Sequence, residues 1–505
     1  MIPTEWLPVG CIIAPLTVGV MLIPLGFYTS HRFQGLFAIG ASAFTLFLTF
    51  LLLQVTLEGT IVIHKMAGWK PPFGILLVVD VFNGFIAFII AFLVFFATVY
   101  SIEYMKHDTG LSYYYALLML LLSGMMGVVL TGDIFNLFVF LELTSISAYG
   151  LVAFRSMEME PLEAGFKYLV MGATATSLVL FGIALLYGAV GTVNYADIAY
   201  RLKNGGLLVG VKGNLVLPLS LIFIMGGFGI KAAVFPLHTW LPDAHPAAPS
   251  PVSAILSGVV IKVGVYALCR ILFLVFQPAH INWVFLISMV SFFTMTVGNF
   301  MALLQDDIKR MLAFSSIAQI GYILVGVAAA NQLGISGVLL HTFNHSIMKG
   351  LAFLCAGAFL HQVGTRKLDE LAGVGSKMPL TTMALTISFL GLIGVPPLNG
   401  FVSKFILFTA GIESGLIWLV VAGIINSAIS AGYYLRFINV LVRVEASEKV
   451  MDVKEAPAIM TIPILILAGL IVLFGIWPQP VLDVSEKAAF SLFNIDKYVT
   501  AVLGG

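Results

Sequence analysis

Charged residues are scarce in this sequence. Of its 505 residues 10% are Asp, Glu, Lys or Arg, whereas a soluble domain carries roughly 25%. Hydrophobic residues make up 60% of the chain, and apolar runs of about 20 residues, each long enough to cross a bilayer, recur from one end to the other. No long polar stretch is left to form a separate soluble domain. The sequence therefore predicts an all-α polytopic membrane protein.

Cysteine and excess basic charge are also nearly absent. Cys11, Cys269 and Cys355 each lie inside an apolar run, which argues against a disulfide framework, an iron–sulfur site or a zinc site. The net charge of +1 leaves no basic face for a nucleic acid. We expect no cofactor, no metal and no catalytic or redox residues in this chain. Any enzyme activity would then belong to a larger assembly.

Hydropathy predicts about fourteen membrane helices. The first apolar run lacks a basic region before it and is longer than the core of a signal peptide, so we interpret it as a retained helix. Linkers after odd-numbered helices hold more Lys and Arg than the others, which places the N-terminus outside the cell membrane. The predicted helices span residues 7–28, 34–56, 74–102, 111–131, 134–154, 164–190, 214–244, 252–277, 281–304, 310–330, 334–362, 380–410, 414–442 and 457–476.

Two of these helices are interrupted by proline. The seventh contains Pro236, and the twelfth contains Pro396 and Pro397 near its middle. Proline removes a backbone donor and breaks a helix. Paired broken helices in two halves of a transporter indicate inverted repeats with ion sites at the breaks. A weak internal similarity, TSISAYG at 144–150 and SSIAQIG at 315–321, supports this interpretation.

Five lysines lie inside predicted helices: Lys167, Lys231, Lys262, Lys349 and Lys404. Facing lipid, four or five charged lysines would cost on the order of 10–15 kcal/mol. Lys167 lies near a helix end and can extend its side chain to the interface. The others must face protein or water, where desolvation favours release of the proton. The alternative for each lysine is a structural bond to carbonyls exposed at a helix break.

One acid, Glu142, lies deep in a predicted helix, and Lys231 is its natural partner. If the two approach, each sets the protonation of the other. The alternative is a static ion pair that fixes helix packing. Asp80 and Asp133 lie nearer helix ends, and we interpret them as solvated or capping groups.

A polar stripe runs along the eleventh predicted helix. His341, His345 and Lys349 recur at every fourth residue and so share one face. Such a stripe suits a proton relay, because histidine titrates near neutral pH. Packing histidines are the alternative; a metal site is disfavoured because no third ligand is evident and Lys349 would repel a cation. His238, beside Pro236, is either an auxiliary relay group or a loop residue.

These residues carry a family likeness. The chain resembles the antiporter-like subunits of the membrane module shared by respiratory complex I, Mrp cation/proton antiporters and energy-converting membrane-bound hydrogenases. Four segments carry the resemblance: GDIFNLFVFLEL with Glu142, KAAVFPLHTWLPDAHPAAPSPVSAILSGVVIKVG with Lys231 and Lys262, LLHTFNHSIMKGLAFL, and GVPPLNGFVSKF with Lys404. The likeness runs over nearly the whole chain.

The resemblance implies fourteen helices with two inverted five-helix repeats, helices 4–8 and 9–13, in which helices 7 and 12 are broken. The corresponding domains are residues 1–110, 111–277, 281–442 and 443–505. It further implies a charge-modulating pair of Glu142 and Lys231, a relay through Lys262 and the histidines of the eleventh helix, and Lys404 as the exit residue. Lys167 would be auxiliary.

The lysine at Lys404 and the wording of the fifth-helix motif resemble most the Mrp D subunit and its counterpart in the hydrogenases. We therefore expect a proton-translocating subunit coupled to Na⁺ exchange or to redox chemistry in partners. Those partners would be other antiporter-like and small membrane subunits, with iron–sulfur and nickel–iron subunits if the complex is a hydrogenase. The alternatives are an M- or N-type subunit of a complex I-like oxidoreductase, a stand-alone secondary carrier, and a scaffold with a vestigial ion path.

Overall fold

The computed structural model describes residues 3–208, 213–443 and 445–504. Within these ranges the chain is helical except for one hairpin of Val62–Lys65 and Leu76–Val79, and twelve continuous helices are long and apolar enough to cross a membrane. This confirms the predicted all-α polytopic class. We number the helices after the fourteen predicted spans, and this count stays a prediction because spans 7 and 12 are each a pair of shorter helices: Leu7–Leu25, His31–Leu57, Val81–Tyr104, Leu111–Leu130, Ile134–Val152, Met159–Val190, Gly213–Lys231 with Leu241–Ala247, Ser250–Phe276, Val284–Leu303, Ile308–Ala329, Gln332–Val363, Pro379–Ile393 with Asn399–Glu413, Ile417–Leu441 and Ala458–Ile476.

Span 7 is broken where the sequence predicts. Its first helix ends at Lys231, and Pro236 lies in the irregular segment before the second helix begins. The indole nitrogen of Trp240 donates to the carbonyl oxygen of Ile230 over 2.9 Å. This bond ties the second half of the span to the end of the first, so Lys231 is fixed at the break.

Span 12 is also broken, between Ile393 and Asn399. Gly394 adopts a φ of 94°, the left-handed conformation in which glycine commonly ends a helix. The N-terminus of span 12 is bonded to the linker that precedes span 14. The Glu455 carboxylate in this linker accepts hydrogen bonds from the backbone N–H of Leu380 over 2.9 Å and from the Thr381 hydroxyl over 2.6 Å. The two broken spans confirm the predicted interruptions.

Two helix caps repeat five spans apart. Asp133 begins span 5 by accepting a bond from the backbone N–H of Asn136 over 2.7 Å, and it pairs with Asn194 in an isolated antiparallel bridge. Asp307 begins span 10 in the same way and pairs with Lys367. The first bridge joins the linkers on either side of spans 5 and 6, and the second joins those on either side of spans 10 and 11. These matching positions agree with a repeated unit; its predicted domain boundaries stay a prediction.

The core of the molecule lies around spans 8, 10 and 11. The central apolar stretches of spans 8 and 10 are completely buried. Span 8 contains two π-helical turns, Leu256–Val260 and Leu272–Phe276. After span 14, the helices Gln479–Phe493 and Ile495–Leu503 fold back, and the first of them packs against spans 3 and 11. Span 11 is therefore enclosed by protein along most of its length.

Candidate functional site

Four of the five lysines predicted inside helices are buried in the protein. The relative exposure of Lys231 is 7%, of Lys262 2%, of Lys349 0% and of Lys404 4%. Their ammonium groups donate to hydroxyls and backbone carbonyls. These acceptors are neutral, so they solvate an ammonium group without fixing its charge as a carboxylate would.

Lys231 ends the first half of span 7 and points toward spans 5 and 6. Its Nζ donates to Ser145 Oγ over 2.6 Å, to Tyr149 Oη over 3.2 Å and to the carbonyl oxygen of Gly172 over 3.3 Å. Gly172 has to be glycine for this arrangement, because a Cβ there would lie 1.6 Å from Tyr149 Oη. Three spans thus converge on one buried ammonium group.

Among the described residues, Glu142 and Lys231 form no ion pair, and their charge-modulating role stays a prediction. Ser145, one helical turn after Glu142, takes the position beside the ammonium group, and Glu142 is half-buried on the same span. The sequence identified the right helix, but which of its turns lies beside Lys231 depends on how far span 5 is shifted along its axis.

Lys262 lies in span 8 directly after the π-helical turn Leu256–Val260. Its Nζ donates to the carbonyl oxygen of Ser257, and the Ser257 hydroxyl is bonded to that of Ser316 on span 10 over 2.7 Å. Ser346 of span 11 donates to the carbonyl oxygen of Gly258 over 2.5 Å. π-Helical turns are frequent at functional sites, and this one connects Lys262 to spans 10 and 11.

The histidines of span 11 lie on one face, as predicted. The ring centroids of His341 and His345 are 5.9 Å apart. His341 bonds Ser403 Oγ through Nδ1 over 2.9 Å and Gln319 Oε1 through Nε2 over 3.0 Å. His345 is fully buried, and neither of its ring nitrogens has a hydrogen-bond partner among the described residues.

Lys349 completes the predicted stripe on span 11. Its Nζ donates to the carbonyl oxygen of Leu312 over 3.1 Å, to the Ser315 hydroxyl, and to Tyr434 Oη over 3.4 Å. Span 10 supplies two of these acceptors and span 13 the third, so Lys349 joins span 11 to spans 10 and 13.

Lys404 lies in the second half of span 12 and reaches back across the break. Its Nζ donates to the carbonyl oxygens of Leu392 over 2.9 Å and Ile393 over 3.0 Å, and to Ser427 Oγ over 3.2 Å. The alternative of a lysine bonded to carbonyls at a helix break therefore describes its contacts well. Gln319 connects this break to His341, because its Nε2 donates to the carbonyl oxygen of Leu392 over 3.1 Å and its Oε1 bonds the histidine ring.

The auxiliary candidates lie apart from this series. Lys167 is about half exposed and pairs with Glu163 over 2.7 Å and Asp243 over 3.0 Å. His238 lies in the break of span 7, with its ring centroid 5.6 Å from that of Phe235. Among the described residues, neither Lys167 nor His238 forms a hydrogen bond with the four buried lysines.

The interpretation of Asp80 and Asp133 as capping groups is confirmed for both. Asp80 caps span 3, with Asn83 completing a capping box. Asp80 is not solvated, however, since it is 1% exposed and forms two bonds, of 2.8 and 2.9 Å, with the guanidinium group of Arg270. The prediction of a solvated Asp80 fails because span 8 brings its single arginine to the end of span 3.

Sequence reasoning missed several buried polar residues, among them Gln319, His245 and Lys309. Gln319 joins His341 to the break of span 12, as described above. His245 is fully buried and stacks on Phe353 with a centroid distance of 4.6 Å. Lys309, which the sequence assigns to a linker, is fully buried and donates to the carbonyl oxygen of Ala248 over 2.6 Å. The signal for Lys309 was the preceding capping residue, Asp307, which places this lysine in the first turn of span 10.

Comparison with known proteins identifies the family. Residues 131–430 match the family model described as NADH:quinone oxidoreductase/Mrp antiporter, TM, and this segment contains both broken spans and all the buried lysines described above. The chain belongs to the NADH:quinone oxidoreductase/Mrp antiporter transmembrane family. It is accordingly an antiporter-like membrane subunit, as its resemblance implied.

Relatives within this family come from different complexes. The NADH-quinone oxidoreductase subunit N of Desulforudis audaxviator (strain MP104C) is 36% identical over 83% of this chain and 85% of the relative. A chain of an archaeal membrane-bound sulfane sulfur reductase has 32% identity and a TM-score of 0.89, over 98% of this chain and 99% of that one. A chain of the Mrp complex from Dietzia sp. DQ12-45-1b has 25% identity and a TM-score of 0.90, over 100% of both.

Proposed function

We propose that this chain translocates protons as one subunit of a multisubunit membrane complex. The observation that carries the proposal is the set of four buried lysines whose ammonium groups bond neutral acceptors. A lysine solvated in this way can give up its proton and persist as a neutral amine, whereas a carboxylate partner would hold it charged. Intramembrane ionisable residues of this kind mark ion pathways.

In this proposal the proton path connects the buried lysines in series. It runs from Lys231 to Lys262, through His345 and His341, and on to Lys404, with water bridging the remaining gaps. Lys349 stores charge beside the histidines. Glu142 modulates Lys231 electrostatically, without forming an ion pair with it.

We further propose that the parent complex is redox-driven and resembles complex I, with this chain in the place of subunit N. The curated relative named subunit N, similar over most of both chains, supports this alternative better than the Mrp D subunit favoured by the sequence motifs. Its partners would then be redox subunits and other antiporter-like chains. An Mrp-type antiporter, exchanging Na⁺ for H⁺, is the second candidate; the full-length similarity to the Mrp chain and the lysine at Lys404 support it.

The experiment is to tag the chain in its native membrane, extract it mildly, and identify the co-purifying proteins by mass spectrometry. Redox subunits would support the complex I-like assembly. Other antiporter-like and small membrane subunits alone would support the Mrp-type assembly. Recovery of the chain alone would contradict the subunit proposal and favour a stand-alone carrier.

Proton movement is tested in vesicles that contain the same complex with Lys231→Met. The complex is driven by its own electron donor or by a Na⁺ gradient, as its partners dictate, and proton uptake is followed with a pH-sensitive dye. We expect uptake to be lost. Normal uptake would contradict the proposed path and favour a scaffold.

A further inference from the structure

Spans 9 and 13 contribute a buried polar cluster that the proposed proton path does not use. Its members are Asn299 on span 9, Tyr322 on span 10, and Tyr433 and Tyr434 on span 13, and each is fully buried. Buried polar groups are costly unless they are bonded. Four such side chains gathered between two lysines therefore need an explanation.

The first half of the cluster begins at Lys349. The Lys349 ammonium group donates to Ser315, and the Ser315 hydroxyl shares a bond of 2.7 Å with Tyr434 Oη. The rings of Tyr434 and Tyr433 pack at an angle of 51°, with centroids 4.4 Å apart. Tyr433 Oη then donates to Asn299 Oδ1 over 3.0 Å. The cluster thus reaches span 9 without passing through the histidines.

The second half ends at Lys404. Asn299 Nδ2 donates to Tyr322 Oη over 3.1 Å. Ser427 Oγ accepts from Lys404 Nζ over 3.2 Å. The Tyr322 ring also faces the same ammonium group, whose Nζ lies 4.5 Å from the ring centroid, within the range of a cation–π contact.

Asn299 determines what this chain of contacts can do. Its carbonyl oxygen accepts from Tyr433, while its amide nitrogen donates to Tyr322 and, over 3.1 Å, to Asn426 Oδ1. A neutral amide held by one acceptor bond and two donor bonds has no proton to pass on. This series of contacts is therefore not a second proton path. Instead, Asn299 fixes the direction of the hydroxyl groups of Tyr433 and Tyr322 on either side of it.

We propose that Asn299 is a positioning residue that couples Lys349 to Lys404 through Tyr433, Tyr434 and Tyr322. It holds Tyr322 beneath the Lys404 ammonium group, and it directs the Tyr433 proton away from Tyr434, so that Tyr434 and Ser315 face Lys349. A change of charge on one lysine thereby alters the contacts offered to the other. This inference rests on the proposed proton translocation.

The test is a double-mutant cycle on proton uptake by the assembled complex, with Tyr433→Phe, Tyr322→Phe and both together. Each single variant should lower uptake by about tenfold, the effect of a lost buried hydrogen bond. Because both hydroxyls act through Asn299, the double variant and Asn299→Leu should fall no further than the more affected single variant. The matched control is Tyr100→Phe, since Tyr100 is fully buried and donates to the carbonyl oxygen of Leu354 over 2.9 Å outside the cluster. It should retain normal uptake.

A spectroscopic measurement separates coupling from a purely structural role. In the complex labelled with ¹³C-tyrosine, Lys404→Met should shift the tyrosine C–O infrared band that Tyr433→Phe removes. An unmoved band, or single losses that simply multiply in the double variant, would overturn the inference. If Lys349→Met and Lys404→Met themselves leave uptake normal, the proposed proton path fails instead. If both lysine variants lose uptake while Tyr433→Phe matches Tyr100→Phe, this inference alone fails.

Discussion

Lys404 and Gln319 share one acceptor: the Lys404 ammonium group and the Gln319 amide nitrogen both donate to the carbonyl oxygen of Leu392, over 2.9 and 3.1 Å. The break in span 12 exposes this oxygen. Gln319 Oε1 bonds His341 on its other side. One side chain of span 10 thus connects the histidine stripe of span 11 to the lysine of span 12.

Replacing Gln319 by Leu should lower proton uptake by about tenfold, because His341 loses a buried partner of the kind worth 1–3 kcal/mol. Uptake is measured in vesicles that contain the assembled complex. The matched control is Gln34→Leu on span 2, which removes another buried glutamine, bonded to the carbonyl oxygen of Thr29 over 3.1 Å. Equal proton uptake in the two variants would show that the hydrogen bonds of Gln319 to His341 and Leu392 do not affect translocation.

Replacing Gly172 by Ala should impair the Lys231 site. The added Cβ would lie 1.6 Å from Tyr149 Oη, so Tyr149 must move away from the ammonium group. We expect uptake to fall severalfold, while the complex still assembles. Gly188→Ala on the same span is the control, because a Cβ there meets nothing within 4 Å. The expectation is wrong if Gly172→Ala behaves as Gly188→Ala does.

The buried pair of Asp80 and Arg270 should dominate the stability of the region around spans 3 and 8. Asp80→Asn leaves the guanidinium group without a counter-ion and should cost about 3–5 kcal/mol. Adding Arg270→Met removes the uncompensated charge and should restore part of the loss. The measurement is the melting temperature of the purified complex. A double variant less stable than Asp80→Asn would contradict this explanation.

The predicted orientation can be tested by cysteine labelling. The three native cysteines are buried, so background labelling should be low. Thr60 follows span 2 and Lys377 precedes span 12, and both are exposed. With the N-terminus outside, a membrane-impermeant maleimide should label Thr60→Cys in intact cells and Lys377→Cys only after lysis. The reverse pattern would invert the topology.

Much of the fold could be predicted because its signals are local. Apolar length determines where a span lies, and proline determines where spans 7 and 12 break. The positions of Lys231, Lys262, Lys349 and Lys404 follow from the cost of charge in lipid. Their burial in the protein interior agrees with that reasoning.

The contacts between spans could not be predicted, because they depend on how each helix is rotated. Glu142 and Ser145 lie one turn apart on span 5, and the level at which the spans pack brings Ser145 to Lys231. Gln319 and Asn299 are uncharged, so no solvation penalty marked them in the sequence. Hydropathy places Lys309 in a linker, between the predicted helices 281–304 and 310–330, because it does not distinguish a helix end from a linker, although this side chain is fully buried.

The most direct test of the proposed proton path is proton uptake by vesicles carrying the assembled complex with Lys262→Met. Lys262 lies between the Lys231 site and the histidines of span 11, so we expect uptake to be abolished while the complex assembles normally. Lys487→Met is the matched control, because Lys487 is exposed and should tolerate the change. Proton uptake by the Lys262→Met complex equal to that of the Lys487→Met complex would contradict translocation through the buried lysines.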